Sequence, residues 1–284
     1  MTTIREVPST ARVTSIAVDP LMAADDFNAL REAKALLEHP GLAARISHLA
    51  GRPIEKSLDV LPERWRKTIH ASAYTAIDRA LDIAVATLDA QRPGPSANRW
   101  HHAAATLSGG AGGAFGLLAV SIELPISTTI MLRSIADIAR SMGEDLSQTE
   151  ARIQCVQVLA MGGRSDRDDG AETAYFAARA ALARAVSDAA SHIAARGLAE
   201  KSAPAVVRLI TQVAGRFSIV VSEKAAAQSV PVLGALGGAV INSVFISHFQ
   251  DMARGHFMIR RLERRYDPAR VRAAYQSIKL AAAD

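Results

Sequence analysis

The sequence is poor in cysteine and in aromatic residues. One cysteine among 284 residues excludes an internal disulfide framework and fits a reducing compartment. Cys155 lies in the apolar run 153–160, so we interpret it as an inert core thiol. Aromatic residues are only 5% of the chain although 49% of it is apolar, because much of the apolar share is alanine. Such small side chains, with few alternating β-branched runs, predict an all-α protein whose helices pack closely.

The sequence also lacks the motifs of common catalytic and cofactor sites. It has no GxxxxGK[ST] phosphate loop, no HExxH or CxxC metal motif, and no GxSxG nucleophile motif. The acidic loop at 166–170 has neither the ligand spacing nor the terminal glutamate of a calcium loop. We therefore predict no catalytic residue, no metal and no cofactor, and we favour a protein that is not an enzyme. An enzyme with an apolar substrate stays open as an alternative.

No continuous apolar stretch of the signal-peptide type occurs in the first twenty residues, so we expect a cytoplasmic protein. Their periodicity is poor, which predicts a mobile tail over residues 1–20. We predict an N-terminal helical extension over residues 21–61 and a helical domain over residues 62–280. The predicted fold is a single compact multi-helix bundle around a central pair of Gly-rich apolar helical segments.

Residues that start or stop helices predict several boundaries. Gly197 is the expected residue after the end of an alanine-rich helix, and Pro204 is expected to open the next one. Asp267, placed directly before a proline, is expected to cap the last short helix. Ser147 and Glu150 have the spacing of a capping box for the helix that follows them.

Two long segments have no charged residue, at 103–122 and 225–247. Each is long enough to span a bilayer, and each contains glycines four positions apart, a spacing that lets helices approach closely. The glycines predicted to pack in this way are Gly109, Gly113, Gly116, Gly234 and Gly238. Glu123 next to the first segment and Pro231 inside the second favour a buried hairpin over membrane insertion. Insertion stays an alternative.

Glu123 is the residue we single out for a special environment. A carboxylate in an apolar, proline-broken run needs a partner if it is buried. We predict a buried ionic or ligand site in which Arg133 or another arginine pairs with Glu123. Structural pairing is favoured over a role in ligand binding or proton transfer.

Charge of one sign accumulates only in the last part of the chain. Residues 201–284 carry 12 basic and 5 acidic side chains, in a protein whose net charge is +5. The candidate contacts with an anionic surface are Arg254, Arg260, Arg261, Arg264 and Arg265. Each Lys or Arg near such a surface contributes about 1 kcal/mol. The alternative is a solvated helix face with internal ion pairs. No nucleic-acid-binding signature accompanies the arginines, so we expect no specific nucleic-acid partner.

Several segments together resemble the bacterial EcsC protein family. They are SGGAGGAFG at 108–116, ELPISTTIMLRSIADIARSMGEDL at 123–146, VLAMGG at 158–163, AYFAARAAL at 174–182, and the segment from VSEKAAAQ to RRLERRY at 221–266. The resemblance covers about residues 62–266 and implies a mostly helical bacterial domain. It implies no established activity and no catalytic residue. At Glu123 the chain departs from the family pattern, in which aspartate or a neutral residue is expected before Leu-Pro.

These features lead to one function hypothesis with two alternatives. We expect a non-enzymatic protein at or near the inner membrane that binds anionic lipid or an inner-membrane protein, in a transporter-associated or regulatory role. The first alternative is a soluble helical interaction module or homo-oligomer without membrane contact. The second is the enzyme with an apolar substrate named above.

Overall fold

The structure is a computed structural model that describes residues 22–38, 41–50, 61–88, 117–162, 174–198, 200–228 and 238–279. Nine α-helices and no strand occur within these ranges. The helices are α1 (Ala24–Leu37), α2 (Leu42–Ala50), α3 (Glu63–Thr87), α4 (Leu117–Ser141), α5 (Thr149–Val158), α6 (Ala174–Arg196), α7 (Pro204–Gln228), α8 (Gly238–Arg265) and α9 (Pro268–Ser277). The prediction of a compact all-α bundle is confirmed. The tail predicted at 1–20 lies outside the described residues.

Helices α3, α4 and α8 run in one direction and α7 runs against them. Arg140, in the last turn of α4, donates to the carbonyl of Leu88 at the end of α3 at 2.9 Å, and the two helices pack side by side. Gln250 in α8 donates to Ser134 in α4 at 2.9 Å. Lys224, one turn before the end of α7, contacts the N-terminal parts of α4 and α8 at Glu123 and Asn242.

One end of the bundle therefore carries the first turns of three helices and the last turn of α7. We call it the Lys224 end. The opposite end carries the last turns of α3, α4 and α8, and we call it the Glu144 end, after the buried glutamate that follows α4.

Helix α7 lies in the middle of the core. It packs against α2, α3, α6 and α8, and its Phe217 ring lies 5.6 Å from the ring of Phe249 and 6.3 Å from that of Phe245, both in α8. Among the described residues it is the one helix long and apolar enough to cross a bilayer. Its buried apolar side chains are part of the main core, and 44% of its most apolar window is buried.

Helix α1 packs against α8 at a glycine that the sequence did not single out. A Cβ atom added at Gly255 would lie 2.5 Å from Cγ of Leu37 and 3.1 Å from the carbonyl oxygen of Ala33, both in α1. The missing side chain lets the two helices approach. Around this contact, α1, α9 and the second half of α8 bury a separate small core that includes Phe27 and Tyr275.

Local chemistry sets the predicted helix ends. Gly197 follows α6 with a φ of +66°, a conformation that glycine adopts at little cost. Helix α7 begins at Pro204. The carboxylate of Asp267 accepts from the backbone N–H groups of Ala269 and Arg270 at 2.9 and 3.2 Å. These three predictions are confirmed.

The predicted capping box is wrong. Helix α5 begins at Thr149, its N-cap residue is Gln148, and no side chain caps it. The backbone N–H of Ser147 donates instead to the carboxylate of Asp145 at 3.0 Å. An aspartate side chain commonly accepts from the backbone N–H two residues ahead in a turn. Asp145 therefore forms a turn before α5, and the helix has no side-chain cap.

Cys155 lies on α5 with no exposed surface, as predicted. Its Sγ donates to the carbonyl of Ala151 at 3.4 Å. Burial raises the pKa of the Cys155 thiol well above its usual range, so it stays protonated and unreactive in the folded protein.

The close contact of α1 with α8 predicts that alanine at position 255 destabilises the protein. We expect Gly255→Ala to lower the free energy of unfolding by about 1–3 kcal/mol, because the new methyl group overlaps the Leu37 side chain. Gly215→Ala is the control, since nothing lies within 4 Å of a Cβ there; it should raise stability by about 0.5–1 kcal/mol. Urea unfolding of both variants measures the difference. Equal stability of the two variants would contradict the packing of α1.

Candidate functional site

A lysine, a glutamate and an asparagine meet inside the Lys224 end. Nζ of Lys224 lies 2.7 Å from Oε1 of Glu123 and 2.8 Å from Oδ1 of Asn242. It also lies 4.8 Å from the centre of the Phe245 ring. The exposed fractions of Lys224, Glu123 and Asn242 are 5%, 8% and 0%. This Lys224 cluster joins α7, α4 and α8 by charged hydrogen bonds that are protected from water.

The structure corrects the predicted partner of Glu123. The glutamate is buried in an ion pair, but its cation is Lys224, and Arg133 is exposed. Ten residues separate Glu123 from Arg133 along α4, so the two side chains point about 80° apart and lie about 15 Å apart along the axis. The sequence did hold a signal for the true partner. Lys224 falls on the same face of α7 as the core residues Phe217 and Val221.

The electrostatics of the cluster favour a structural role. Burial lowers the pKa of the Lys224 ammonium, and the adjacent Glu123 carboxylate opposes this shift. The cavity beside the pair, which is also lined by Leu124 and Gln228, has a volume of about 10 Å³. That is room for about one water molecule. Within the described part of the chain the cluster therefore has no space for a substrate.

Two exposed apolar side chains lie near the cluster. The exposed fractions of Ile126 in α4 and Val240 in α8 are 51% and 49%. Helices α4 and α8 begin within the two charge-free segments. Val240 lies in the first turn of α8, and Ile126 lies one turn after Glu123 in α4. Four of the five glycines predicted to pack helices closely lie outside the described residues, namely Gly109, Gly113, Gly116 and Gly234. Gly238 is the first residue of α8, and its predicted close packing stays a prediction.

A basic and aromatic group begins α3 at the same end. Arg64, Arg66 and Lys67 are exposed, and Trp65 is half-buried beside them. Glu63 is the one acidic residue in this turn. Because α3 and α4 run in parallel, these residues belong to the end that exposes Ile126. The sequence did not single out Trp65, since nothing local showed which end of the bundle it would occupy.

At the Glu144 end, two of the predicted arginines bind a single buried carboxylate. Arg260 donates to both oxygens of Glu144 at 3.0 and 3.3 Å, and Arg264 also pairs with Glu144. A second nitrogen of Arg264 donates to the carbonyl of Met142, just beyond α4, at 2.9 Å. These arginines hold the chain segment after α4 against α8.

The other three predicted arginines are spread along α8. Arg254 pairs with Asp251 on the same helix at 3.0 Å, and Arg265 pairs with Asp26 at 3.0 Å. Arg261 is exposed. Four of the five arginines are thus bound to carboxylates, as expected for a helix face with internal ion pairs. Their role as anionic-surface contacts stays a prediction.

The model of the EcsC protein family matches residues 25–262. No match was found among curated proteins or among solved structures. The matched range begins in α1 and ends near the last turn of α8. The domain boundaries predicted at residues 20 and 61 stay predictions.

The buried pair predicts strongly coupled effects of substitution. Lys224→Met should lower the free energy of unfolding by about 3–5 kcal/mol, because it leaves the Glu123 carboxylate buried without a cation. Adding Glu123→Gln to the same chain should recover more than half of that loss. Arg196→Met is the control, since Arg196 and Glu200 form an exposed pair and its loss should cost less than about 1 kcal/mol. Chemical denaturation gives all three values. A Lys224→Met protein as stable as Arg196→Met would contradict the pairing.

Proposed function

The chain belongs to the EcsC protein family, and from that premise we propose that it is a non-enzymatic protein that docks on anionic membrane surfaces through its Lys224 end. In this proposal the protein works on the cytoplasmic side of the inner membrane. The observation that carries it is the joint exposure of apolar and basic side chains at the end where the two charge-free segments enter the bundle.

The apolar part of the proposed contact is Ile126 and Val240. Among the described residues only three large apolar side chains are exposed, and these are two of them. Each would bury about half of its surface on entering the region between lipid headgroups and acyl chains, and burial of a whole side chain of this size contributes about 1.5–3 kcal/mol. Val240 lies within one charge-free segment, and Ile126 follows the other by four residues.

The basic part is the first turn of α3. Arg64, Arg66 and Lys67 contribute about 1 kcal/mol each near an anionic surface. Trp65 beside them is the residue type that concentrates at membrane interfaces, because its ring is apolar and its N–H is polar. Neither the apolar contact nor the basic contact would bind a membrane tightly alone. Together they give a reversible attachment whose strength depends on lipid charge.

The arginines of α8 are placed less well for this role. Arg260 and Arg264 would have to leave Glu144, which is buried, and an unpaired buried carboxylate is costly. Twenty residues separate Val240 from Arg260, which is about 30 Å along a helix. A surface that touches Ile126 and Val240 is therefore far from these arginines. This geometry supports the apolar end as the docking end.

Vesicle flotation tests the proposal. We expect the protein to float with vesicles that contain phosphatidylglycerol, and Ile126→Glu combined with Val240→Glu to lower its partition coefficient at least tenfold. Val207→Glu is the matched control, because Val207 is also exposed but lies 17 residues, or about 25 Å, from Lys224 along α7. Arg66→Glu with Lys67→Glu should weaken flotation on anionic vesicles only.

Two results would contradict membrane docking. One is no flotation of the unchanged protein at low salt. The other is equal loss in Val207→Glu and in the Ile126 and Val240 variant. If the unchanged protein is a dimer by light scattering, does not float, and becomes a monomer in the Ile126 and Val240 variant, the apolar end contacts a second copy and the membrane proposal fails.

A further inference from the structure

A polar cleft lies between α5 and α6, away from the proposed docking end. Its volume is about 280 Å³, near the lower end of the range for small-molecule sites. It is lined by Gln154 and Gln157 of α5, by Arg179, Ser187 and Ser191 of α6, and by Arg260 of α8. These six lining residues have polar or charged side chains that could donate to or accept from a bound molecule.

Gln157 gives the first indication of a ligand. Its exposed fraction is 1%, and within the described residues its side-chain oxygen has no hydrogen-bond partner. A buried oxygen without a donor is unfavourable, because it has lost water and gained nothing. Gln157 lines the cleft, so a molecule in the cleft with an N–H or O–H group would supply the donor.

Behind the cleft, Gln154 is the last member of a chain of neutral hydrogen bonds. The hydroxyl of Tyr175 lies 3.0 Å from Nδ1 of His256, and Nε2 of His256 lies 3.2 Å from the side-chain oxygen of Gln154. Burial lowers the pKa of His256 well below its ordinary value, and the nearby Arg179 and Arg260 lower it further. The neutral His256 ring carries one N–H group, and the amide oxygen of Gln154 can only accept. Nε2 of His256 therefore donates to Gln154, and Nδ1 accepts from the hydroxyl of Tyr175. The oxygen of Gln154 is thus occupied, which leaves its N–H₂ group to face a ligand.

Two arginines that line the cleft supply charged donors, and each is already paired with a glutamate. Arg179 donates to both oxygens of Glu263 at 2.7 Å, and Arg260 is held in the same way by Glu144. Each guanidinium has five N–H groups, so some remain for a ligand. Glu150 at the rim lies 3.8 Å from Arg260. Glu150 lines the cleft, and Glu144 and Glu263 lie behind the two arginines. These carboxylates repel a multiply charged anion more strongly than a ligand with one carboxylate, to which the remaining N–H groups can donate.

We propose that this cleft binds a small molecule that carries a carboxylate beside an amino or hydroxyl group, the chemistry of an amino acid or a hydroxy acid. The carboxylate lies toward Arg179 and Arg260, and the amino or hydroxyl group donates to the oxygen of Gln157. The cleft is large enough for a ligand of this class.

Calorimetric titration of the full chain tests the proposal, with the L-amino acids and with glycolate, lactate and malate as probes. At least one probe should bind saturably and raise the melting temperature. Gln157→Leu should raise the Kd of that probe about tenfold through loss of one hydrogen bond. Without the probe, this variant should melt at the same temperature as the unchanged protein or higher, because leucine removes an unpaired buried oxygen.

A second pair of variants separates the cleft from the rest of α6. Ala183 lines the cleft and is exposed, so Ala183→Leu should fill the space and abolish binding without loss of stability. Ala181→Leu is the matched control, since Ala181 is exposed on the same helix outside the cleft lining. It should bind the probe as the unchanged protein does.

Four results would overturn the proposal. They are no binding of any probe, binding that survives both Gln157→Leu and Ala183→Leu, binding of inorganic phosphate as tight as that of the best probe, and a lower melting temperature of Gln157→Leu without probe. The last would mean that Gln157 holds a structural hydrogen bond. The titration contains no vesicles, so its failure would leave membrane docking unaffected.

Discussion

The ammonium group of Lys224 sits inside the protein and depends on Glu123 for its charge balance. Removing either partner leaves the other charged in an apolar interior, which is far more costly than losing an exposed ion pair. Asn242 accepts from the same nitrogen, so the cluster sets the register of α4, α7 and α8 together. It lies in the N-terminal parts of α4 and α8, which begin within the charge-free segments. The position of the N-terminal parts of both helices, and of Ile126 and Val240 that they expose, depends on this cluster.

The two ends of the bundle use charge differently. At the Glu144 end, Arg260 and Arg264 are bound to a buried glutamate and stabilise the chain after α4. At the Lys224 end, the basic residues of α3 are exposed next to Trp65 and have no comparable set of buried carboxylates among the residues described here. A basic stretch in a sequence therefore does not by itself mark a binding surface. The carboxylates that the fold brings to each arginine decide whether its charge is available.

The structural features that the sequence predicted correctly are those with a local cause. The all-α class followed from composition, and Gly197 and Asp267 fixed helix ends because their chemistry acts within a few residues. Burial of Glu123 followed from its apolar neighbours. Its partner lies 101 residues away, and neither helix pattern shows which faces meet. Gly255 was missed for the same reason, since only the approach of α1 makes its missing side chain matter. The cleft was missed because Gln154 and Gln157 lie in an apolar run that indicates core.

The central claim is that the Lys224 end is the part of the protein that meets the membrane, and spin-label depth measurements test it most directly. Cys155 is buried and unreactive, so a nitroxide can be attached singly at Val240→Cys or at Val207→Cys. On anionic vesicles, the label at 240 should become more accessible to oxygen and less accessible to a water-soluble nickel complex, while the label at 207 should not change. No change at 240, or the same change at both positions, would contradict the claim.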